Sequence, residues 1–74
     1  MRPEIGMTVR IKDTHELISM RGAIGIIETI SREDPNPVYH YAGVKFAPEI
    51  TEYTSYIYLR LLQYKVDNNA PFWA

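Results

Sequence analysis

The order of apolar and polar residues along the chain predicts a series of short strands. Between residues 6 and 12, Met7, Val9 and Ile11 alternate with polar residues, so one side of an extended segment is apolar. Successive side chains of a strand point to opposite faces. The alternation therefore predicts a half-buried first strand that follows a turn at Gly6.

Residues 23–30, with the sequence AIGIIETI, are rich in β-branched residues but apolar in both phases. A glycine inside such a run is typical of a bend or a β-bulge, which we expect at Gly25. A bent strand that contributes to both sheets of a small barrel needs apolar residues in both phases. This interpretation places Ile26 in the core.

Two further strands are predicted at residues 38–46 and 53–59, and each has one apolar face. In the first of them Val44 and Phe46 share the face that points to the core, and in the second Ile57 does so. Seven residues are expected to be buried together: Val9, Ile11, Ile26, Val44, Phe46, Ile57 and Leu62.

The segments between the strands supply the connections. Residues 13–22 are predicted to form a long first loop that tucks one or two apolar side chains under the barrel, and the prolines make residues 31–37 a loop. The three-residue spacing of Leu59 and Leu62 predicts a 3₁₀ turn before a short last strand.

This arrangement predicts an all-β fold: a five-stranded SH3-like barrel over residues 1–66, with a C-terminal tail at residues 67–74. Four segments, IGMTVRIK, RGAIGIIETI, YAGVKF and YLRLLQY, resemble the pattern of KOW-type and related bacterial SH3-like domains. Gly22 and Gly25 match the paired glycines of that pattern. The resemblance covers roughly residues 5–66 and implies a fold more than a function.

Composition excludes several functional classes. The 74 residues suffice for one domain, and the absence of cysteine excludes a disulfide scaffold and a thiolate metal site and is compatible with a cytoplasmic location. The net charge is -1, and the eight Lys and Arg residues form no basic stripe, so nucleic acid is not expected as a direct ligand. No uncharged run is suited to a membrane span, and the N-terminal MRPEIGM lacks a signal-peptide core.

No constellation of reactive residues favours catalysis. Asp13, His15 and Glu16 are possible metal ligands, but their spacing in a loop matches no metal motif, and a solvated polar loop is the better interpretation. His40 has no adjacent acid and is interpreted as an edge residue of the barrel. We therefore expect no metal, no cofactor and no enzymatic activity.

The strongest functional signal is a group of tyrosines. Alternation puts Tyr39 and Tyr41 on the outward face of the third strand, and Tyr56 and Tyr58 on that of the fourth. Cross-strand packing is the alternative explanation, since aromatic pairs stabilise a sheet by about 0.2–1 kcal/mol each. Four rings exceed what one pair needs, and tyrosine suits interfaces because its ring buries apolar area while its hydroxyl stays polar. We expect these four residues to bind a partner.

The C-terminal tip, with the sequence APFWA, raises the same question for Phe72 and Trp73. These side chains either fold back over an open end of the barrel or anchor a partner. The sequence leaves both alternatives open, and both residues remain candidates for partner binding.

The first functional hypothesis is a non-catalytic protein-binding module that binds, and inhibits or regulates, a larger protein assembly, with a homodimer as one option. In size and character the chain is similar to small bacteriophage proteins that inhibit host replication or transcription machinery. That similarity implies a target such as a sliding clamp or a polymerase.

Two other hypotheses come from different classes. A KOW-like nucleic-acid- or ribosome-associated module would use Arg10, Lys12, Arg21 and Lys45, and its binding would depend steeply on salt.

The other alternative is a tetramer like that of the plasmid-encoded SH3-like dihydrofolate reductases. The segment TSYIY resembles the pore strand of those enzymes at Ser55, Ile57 and Tyr58. Tyr56 stands where that family has a glutamine, and a titration with the reductase cofactor would test this hypothesis.

Overall fold

The computed structural model describes residues 3–16, 18–65 and 73 and shows an all-β protein. Five antiparallel strands follow one another along the chain: β1 Thr8–Ile11, β2 Ile24–Ser31, β3 Tyr41–Phe46, β4 Ser55–Tyr58 and β5 Leu62–Tyr64. Three single 3₁₀ turns separate them, at Ile18–Met20, Pro37–Tyr39 and Leu59–Leu61. The predicted all-β class, the long first loop and the 3₁₀ turn before the last strand are confirmed.

The five strands form one sheet in the order β4-β3-β2-β1-β5. This sheet is not closed into the predicted barrel, because no ladder joins β4 to β5 among the described residues. The 3₁₀ turn Leu59–Leu61 passes the chain from β4 onto β1, with which β5 pairs. The sheet therefore has two edges, β4 and β5.

The core lies on one face of the curled sheet. Eight residues are buried there: Val9, Ile11, Ile27, Ala42, Val44, Phe46, Ile57 and Leu62. Six of the seven predicted core residues are among them. The prediction for Ile26 is wrong, since its side chain is 50% exposed whereas that of Ile27 is 1% exposed.

A bulge in β2 explains the apolar residues in both phases. The pairing with β3 shifts by one residue between Ile27 and Thr29, so Glu28 is the extra residue. Gly25 and Ile27 therefore point to the core before the bulge, and Ile30 points to the core after it. The bulge was expected at Gly25 and lies three residues later.

Gly25 instead allows two strands to approach closely. A β-carbon built at this position would lie 2.7 Å from the Lys45 carbonyl oxygen and 2.7 Å from a Val44 methyl carbon. Both contacts are far shorter than van der Waals distances. Glycine at this point in a strand is thus explained by the neighbouring backbone of β3.

The third strand begins later than its sequence pattern suggested. The Asn36 side chain accepts a hydrogen bond from the Val38 amide at 3.1 Å, and Pro37 occupies the first position of the 3₁₀ turn that follows. This combination of cap and proline favours a helical turn. Tyr39 consequently lies in the turn Pro37–Tyr39 and precedes β3, which corrects its expected place on the strand.

The first loop is tied to the rest of the molecule. Met20, in the turn Ile18–Met20, packs against the core, which confirms the expected tucked apolar side chain. The Lys12 ammonium donates a 2.9 Å hydrogen bond to the Arg60 carbonyl oxygen, which connects the start of the loop to the turn before β5.

A matched pair of substitutions can test which residues of β2 face the core. Ile27→Ala should lower the free energy of unfolding by about 2–5 kcal/mol, because it leaves a cavity in the core. Ile26→Ala removes the same atoms from a half-exposed position and should cost well under half as much. Urea denaturation of both variants measures the difference, and equal losses would contradict the observed phase.

A second prediction concerns Tyr64, the last residue of β5, which packs against the core and donates a 3.0 Å hydrogen bond to the Leu59 carbonyl oxygen. Burial raises the pKa of the Tyr64 hydroxyl above its usual value, and the charge of Arg32 opposes this only in part. The unfolded chain therefore loses this proton first as the pH rises.

The contribution of Tyr64 to stability is consequently complete below about pH 10 and is lost at higher pH, as the pH approaches and passes the raised pKa. Tyr64→Phe should show a shallower alkaline loss of stability than the parent chain. Urea unfolding in steps between about pH 8 and pH 11 provides the comparison. Parallel profiles for the two proteins would show that ionisation of Tyr64 does not matter for the fold.

Candidate functional site

The register between β3 and β4 brings tyrosines together on the outer face of the sheet. Tyr41 pairs with Tyr58 and Gly43 pairs with Tyr56, while the intervening Ala42 and Ile57 pair on the core side. Because neighbours along a strand point to opposite faces, burial of the apolar pair directs the tyrosines outward. We call Tyr39, Tyr41, Tyr56 and Tyr58 the tyrosine face.

The four rings form two edge-to-face pairs. Tyr41 and Tyr56 lie with ring centroids 6.0 Å apart at an interplanar angle of 81°. Tyr39 and Tyr58 lie 6.3 Å apart at 63°, so Tyr39 joins the tyrosine face although it precedes β3. Such geometry is the favoured one for aromatic pairs. Cross-strand packing therefore accounts for part of the arrangement.

Gly43 makes room for the Tyr56 ring. A β-carbon at position 43 would lie 3.3 Å from the ring atom Cε1 of Tyr56 and 2.5 Å from the Thr29 hydroxyl oxygen. The ring of Tyr56 thus leans over the backbone of its cross-strand partner. The Tyr56 side chain nevertheless remains 70% exposed.

Three members of the tyrosine face line a surface groove. Tyr41, Tyr56 and Tyr58 line a depression of about 410 Å³. All four members of the face retain between 40% and 70% of their exposure. At one side the guanidinium carbon of Arg60 lies 5.0 Å from the centre of the Tyr58 ring, within the range of a cation–π contact.

Two polar contacts connect β3 and the start of β4 to neighbouring segments. The Thr54 hydroxyl donates to a Glu28 carboxylate oxygen at 3.1 Å, which places the bulge residue beside β4. The Lys45 ammonium donates to the Glu52 carbonyl oxygen at 2.7 Å.

Trp73 lies elsewhere. It forms an isolated antiparallel bridge with Lys65, next to β5. Its ring lies 5.2 Å from the Arg10 guanidinium carbon and 5.4 Å from the Lys65 ammonium. Trp73 therefore lies against the outer side of β1 and the end of β5 rather than over an open end of a barrel, and its part in partner binding stays a prediction. Phe72 lies outside the described residues.

Sequence reasoning missed a second apolar patch on the outer face. Ile24 and Ile26 are each 50% exposed and line a depression of about 400 Å³ together with Thr8 and Lys45. The sequence contained a signal for this patch, since apolar residues occupy both alternating sets of positions in AIGIIETI. It was interpreted as a doubly buried strand, whereas it marks a strand with one buried and one exposed apolar side.

The polar candidates do not assemble into a reactive site. Within residues 3–16, 18–65 and 73, no three His, Asp or Glu side chains are grouped so that they could hold a metal ion. His40 contacts the Asp34 carbonyl oxygen at 2.7 Å through its Nε2 atom. His15 and Glu16 line a depression beside β4 rather than a cluster with Asp13.

The four basic residues of the nucleic-acid hypothesis all contact their own chain. Arg10 donates two hydrogen bonds to the Gln63 side-chain oxygen, at 2.9 and 3.1 Å. Lys12 and Lys45 donate to backbone carbonyl groups as described, and Arg21 donates to the His15 carbonyl oxygen at 2.8 Å. These interactions hold the cations at separate places on the surface.

The fold and the site together define a small all-β protein with an open five-stranded sheet and an aromatic outer face. Comparison with models of protein families, with curated proteins and with solved structures finds no match. In the described part of the chain, no helix has the length and apolar character needed to cross a membrane.

The position of the Tyr56 ring leads to a spectroscopic prediction. Removal of a ring that leans over Gly43 changes the local ring current, so Tyr56→Ser should shift the α-proton resonances of Gly43 markedly. Tyr39→Ser, which removes a ring of the other pair, should leave them nearly unchanged. Proton–carbon correlation spectra of the two variants test this, and similar shifts in both would contradict the packing of Tyr56 on Gly43.

Proposed function

We propose that this protein is a non-catalytic protein-binding module that attaches to a larger protein assembly through its tyrosine face. The observation that carries the proposal is a groove lined by three partly exposed tyrosine rings, with a fourth, Tyr39, packed against one of them. The core of the sheet is complete without them, since its eight buried hydrophobic residues include none of the four tyrosines.

The energetics favour a binding role over a purely structural one. Each of the two edge-to-face contacts contributes about 0.5–1.5 kcal/mol beyond the burial of the rings. Two ring pairs that are shielded from solvent would gain the same stabilisation, so these contacts do not explain why the rings are exposed. The face instead leaves its rings open to solvent. Exposed apolar area of this kind gains free energy when a partner covers it, and tyrosine is enriched among the residues that dominate interface energies.

The finer identity that we propose is an SH3-like module that inhibits or regulates a replication or transcription assembly, of the kind encoded by bacteriophages. Support for the SH3-like fold comes from five short strands, a long first loop and a 3₁₀ turn before β5. Support for the inhibitor role comes from small size, a near-neutral net charge of -1 and the tyrosine face. A sliding clamp or a polymerase is a target of the proposed class.

The binding proposal is tested by two substitutions with a matched control. Tyr41→Ser and Tyr56→Ser should each weaken capture of the partner by about 2 kcal/mol or more, which is roughly a thirtyfold loss of affinity. Tyr53→Ser is the control, because Tyr53 is 80% exposed but lies in the turn between β3 and β4, outside the tyrosine face.

The measurement is affinity capture from bacterial lysate with quantitative mass spectrometry, followed by titration of the purified partner. Melting temperatures of the same variants separate binding from folding. Lower melting temperatures with unchanged capture would show that the tyrosine face is structural and would overturn the proposal.

A further inference from the structure

A second surface of the sheet, outside the tyrosine face, combines exposed apolar side chains with positive charge. Ile24 and Ile26 are each 50% exposed on the outer side of β2. Cross-strand pairing sets Arg10 beside Ile24, and it sets Thr8 and Lys45 on either side of Ile26. Exposed apolar side chains that lie together within a polar border are typical of a surface that meets another molecule.

One row of side chains crosses four strands of the sheet and has a cation at each end. Ile26 lies between Thr8 of β1 and Lys45 of β3. The Lys65 amide donates to the Thr8 carbonyl oxygen at 3.5 Å, so Lys65 continues the row beyond β1. Neighbouring strands are about 4.8 Å apart, which puts the backbones of Lys45 and Lys65 about 14 Å apart. We call the following five residues the cationic face: Arg10, Ile24, Ile26, Lys45 and Lys65.

The cations of this face have uncharged partners. Arg10 donates to the Gln63 side-chain oxygen, and its guanidinium carbon lies 5.2 Å from the centre of the Trp73 ring. The Lys65 ammonium lies 5.4 Å from the same ring, and Lys45 donates to a backbone carbonyl group. None of these contacts neutralises a charge. The face therefore presents three positive charges in a chain whose net charge is -1.

The acidic residues of the described segments lie outside this face. Within the described strands Glu28 is the one acidic residue, and its carboxylate accepts a hydrogen bond from Thr54 beside β4. The other acidic residues of these segments belong to loops and turns. Charge is thus separated between the sheet and its connections. A surface of one sign attracts a partner surface of the opposite sign.

The shape of the cationic face indicates the form of that partner. Ile24, Ile26 and Lys45 line a depression of about 400 Å³, which accepts a convex element. An α-helix with its side chains is about 10–12 Å across, and it fits the interval of about 14 Å between Lys45 and Lys65. Layers of helix on sheet are a common way to bury an apolar stripe.

We propose that the cationic face docks an amphipathic helix of a partner protein whose apolar stripe is flanked by Asp and Glu. The stripe covers Ile24 and Ile26. On one flank the carboxylates meet Lys45, and on the other they meet Arg10 and Lys65. This surface is separate from the tyrosine face, so the inference goes beyond the binding role proposed above.

Other occupants match the face less well. A second copy of the chain would bring its own three positive charges against the same three. Nucleic acid would meet Ile24 and Ile26 at the centre, which neither stack on bases nor donate to phosphate. Side chains that insert into a lipid surface protrude, whereas these two line a depression.

The test uses the purified full chain and two synthetic peptides of about 20 residues, because helices shorter than about 12–15 residues are marginal in water. One peptide has a leucine stripe flanked by glutamates, and its twin has lysine in place of every glutamate. Trp73 is the one tryptophan of the chain and borders the face, so its fluorescence reports binding. Titration up to about 1 mM peptide measures the dissociation constant.

The glutamate peptide should bind below this limit, and added salt should weaken its binding because the flanking charges are screened. The lysine peptide should not bind. Lys45→Glu should weaken binding of the glutamate peptide about fivefold or more and strengthen that of the lysine peptide. Ile26→Ser should weaken binding at least as much, since it removes an apolar contact.

Two matched controls separate this face from the rest of the surface. Arg60→Glu makes the same change of charge beside Tyr58, and Tyr56→Ser removes a member of the tyrosine face. Both should bind the glutamate peptide like the parent chain. Circular dichroism confirms folding of each variant, and Lys45→Glu, at an exposed position, keeps the test decisive if Ile26→Ser does not fold.

Absence of binding by the parent chain, equal binding of the two peptides, or equal losses in Lys45→Glu and Arg60→Glu would overturn the proposal. The titration is repeated with a single-stranded oligonucleotide of about 12 nucleotides and with vesicles containing about one-third phosphatidylserine. Tighter binding to either would also overturn it, and would assign the face to nucleic acid or to lipid. Lys45→Glu and Ile26→Ser leave the tyrosine face intact, so failure here does not affect the proposed function.

Discussion

The antiparallel register of β3 with β4 is the constraint on which the other features depend. Ala42 and Ile57 pair on the core side, and this pairing directs Tyr41 and Tyr58 to the outer side. A slip of one residue would turn every side chain of β4 to the opposite face. The same register determines which backbone groups of β4 meet β3 and which meet the solvent. The core and the tyrosine face therefore follow from a single alignment of two short strands.

Local alternation was enough to predict the strands that have one apolar face. In β1, polar and apolar residues alternate without interruption, and in β4 Ile57 lies between two tyrosines, so the buried positions Val9, Ile11 and Ile57 were predicted correctly. The same alternation put Tyr41 and Tyr56 on the outside. Where side chains alternate with a period of two residues, the alternation itself shows which of them face the core. No information about the neighbouring strands is needed.

The features that alternation missed depend on non-local contacts or on a change of phase. The bulge at Glu28 is opposite a strand that is distant in sequence, so the exposure of Ile26 could not be inferred from β2 alone. The position of Trp73 depends on contacts with two cations. Arg10 is distant from Trp73 in sequence, and Lys65 is separated from it by the C-terminal segment. The displacement of Tyr39 from β3 is a different case, because Asn36 and Pro37 carried a local signal for a turn.

The account is tested most directly by measuring the register itself. In non-hydrogen-bonded antiparallel pairs the Cα atoms are about 4.5 Å apart, and the α-protons lie closer still. A nuclear Overhauser spectrum should therefore show strong α-proton contacts between Tyr41 and Tyr58 and between Gly43 and Tyr56. Strong contacts that join Ala42 to Tyr58 instead would mean a strand slipped by one residue. The tyrosines of β4 would then share a face with the core, and the tyrosine face described above would be wrong.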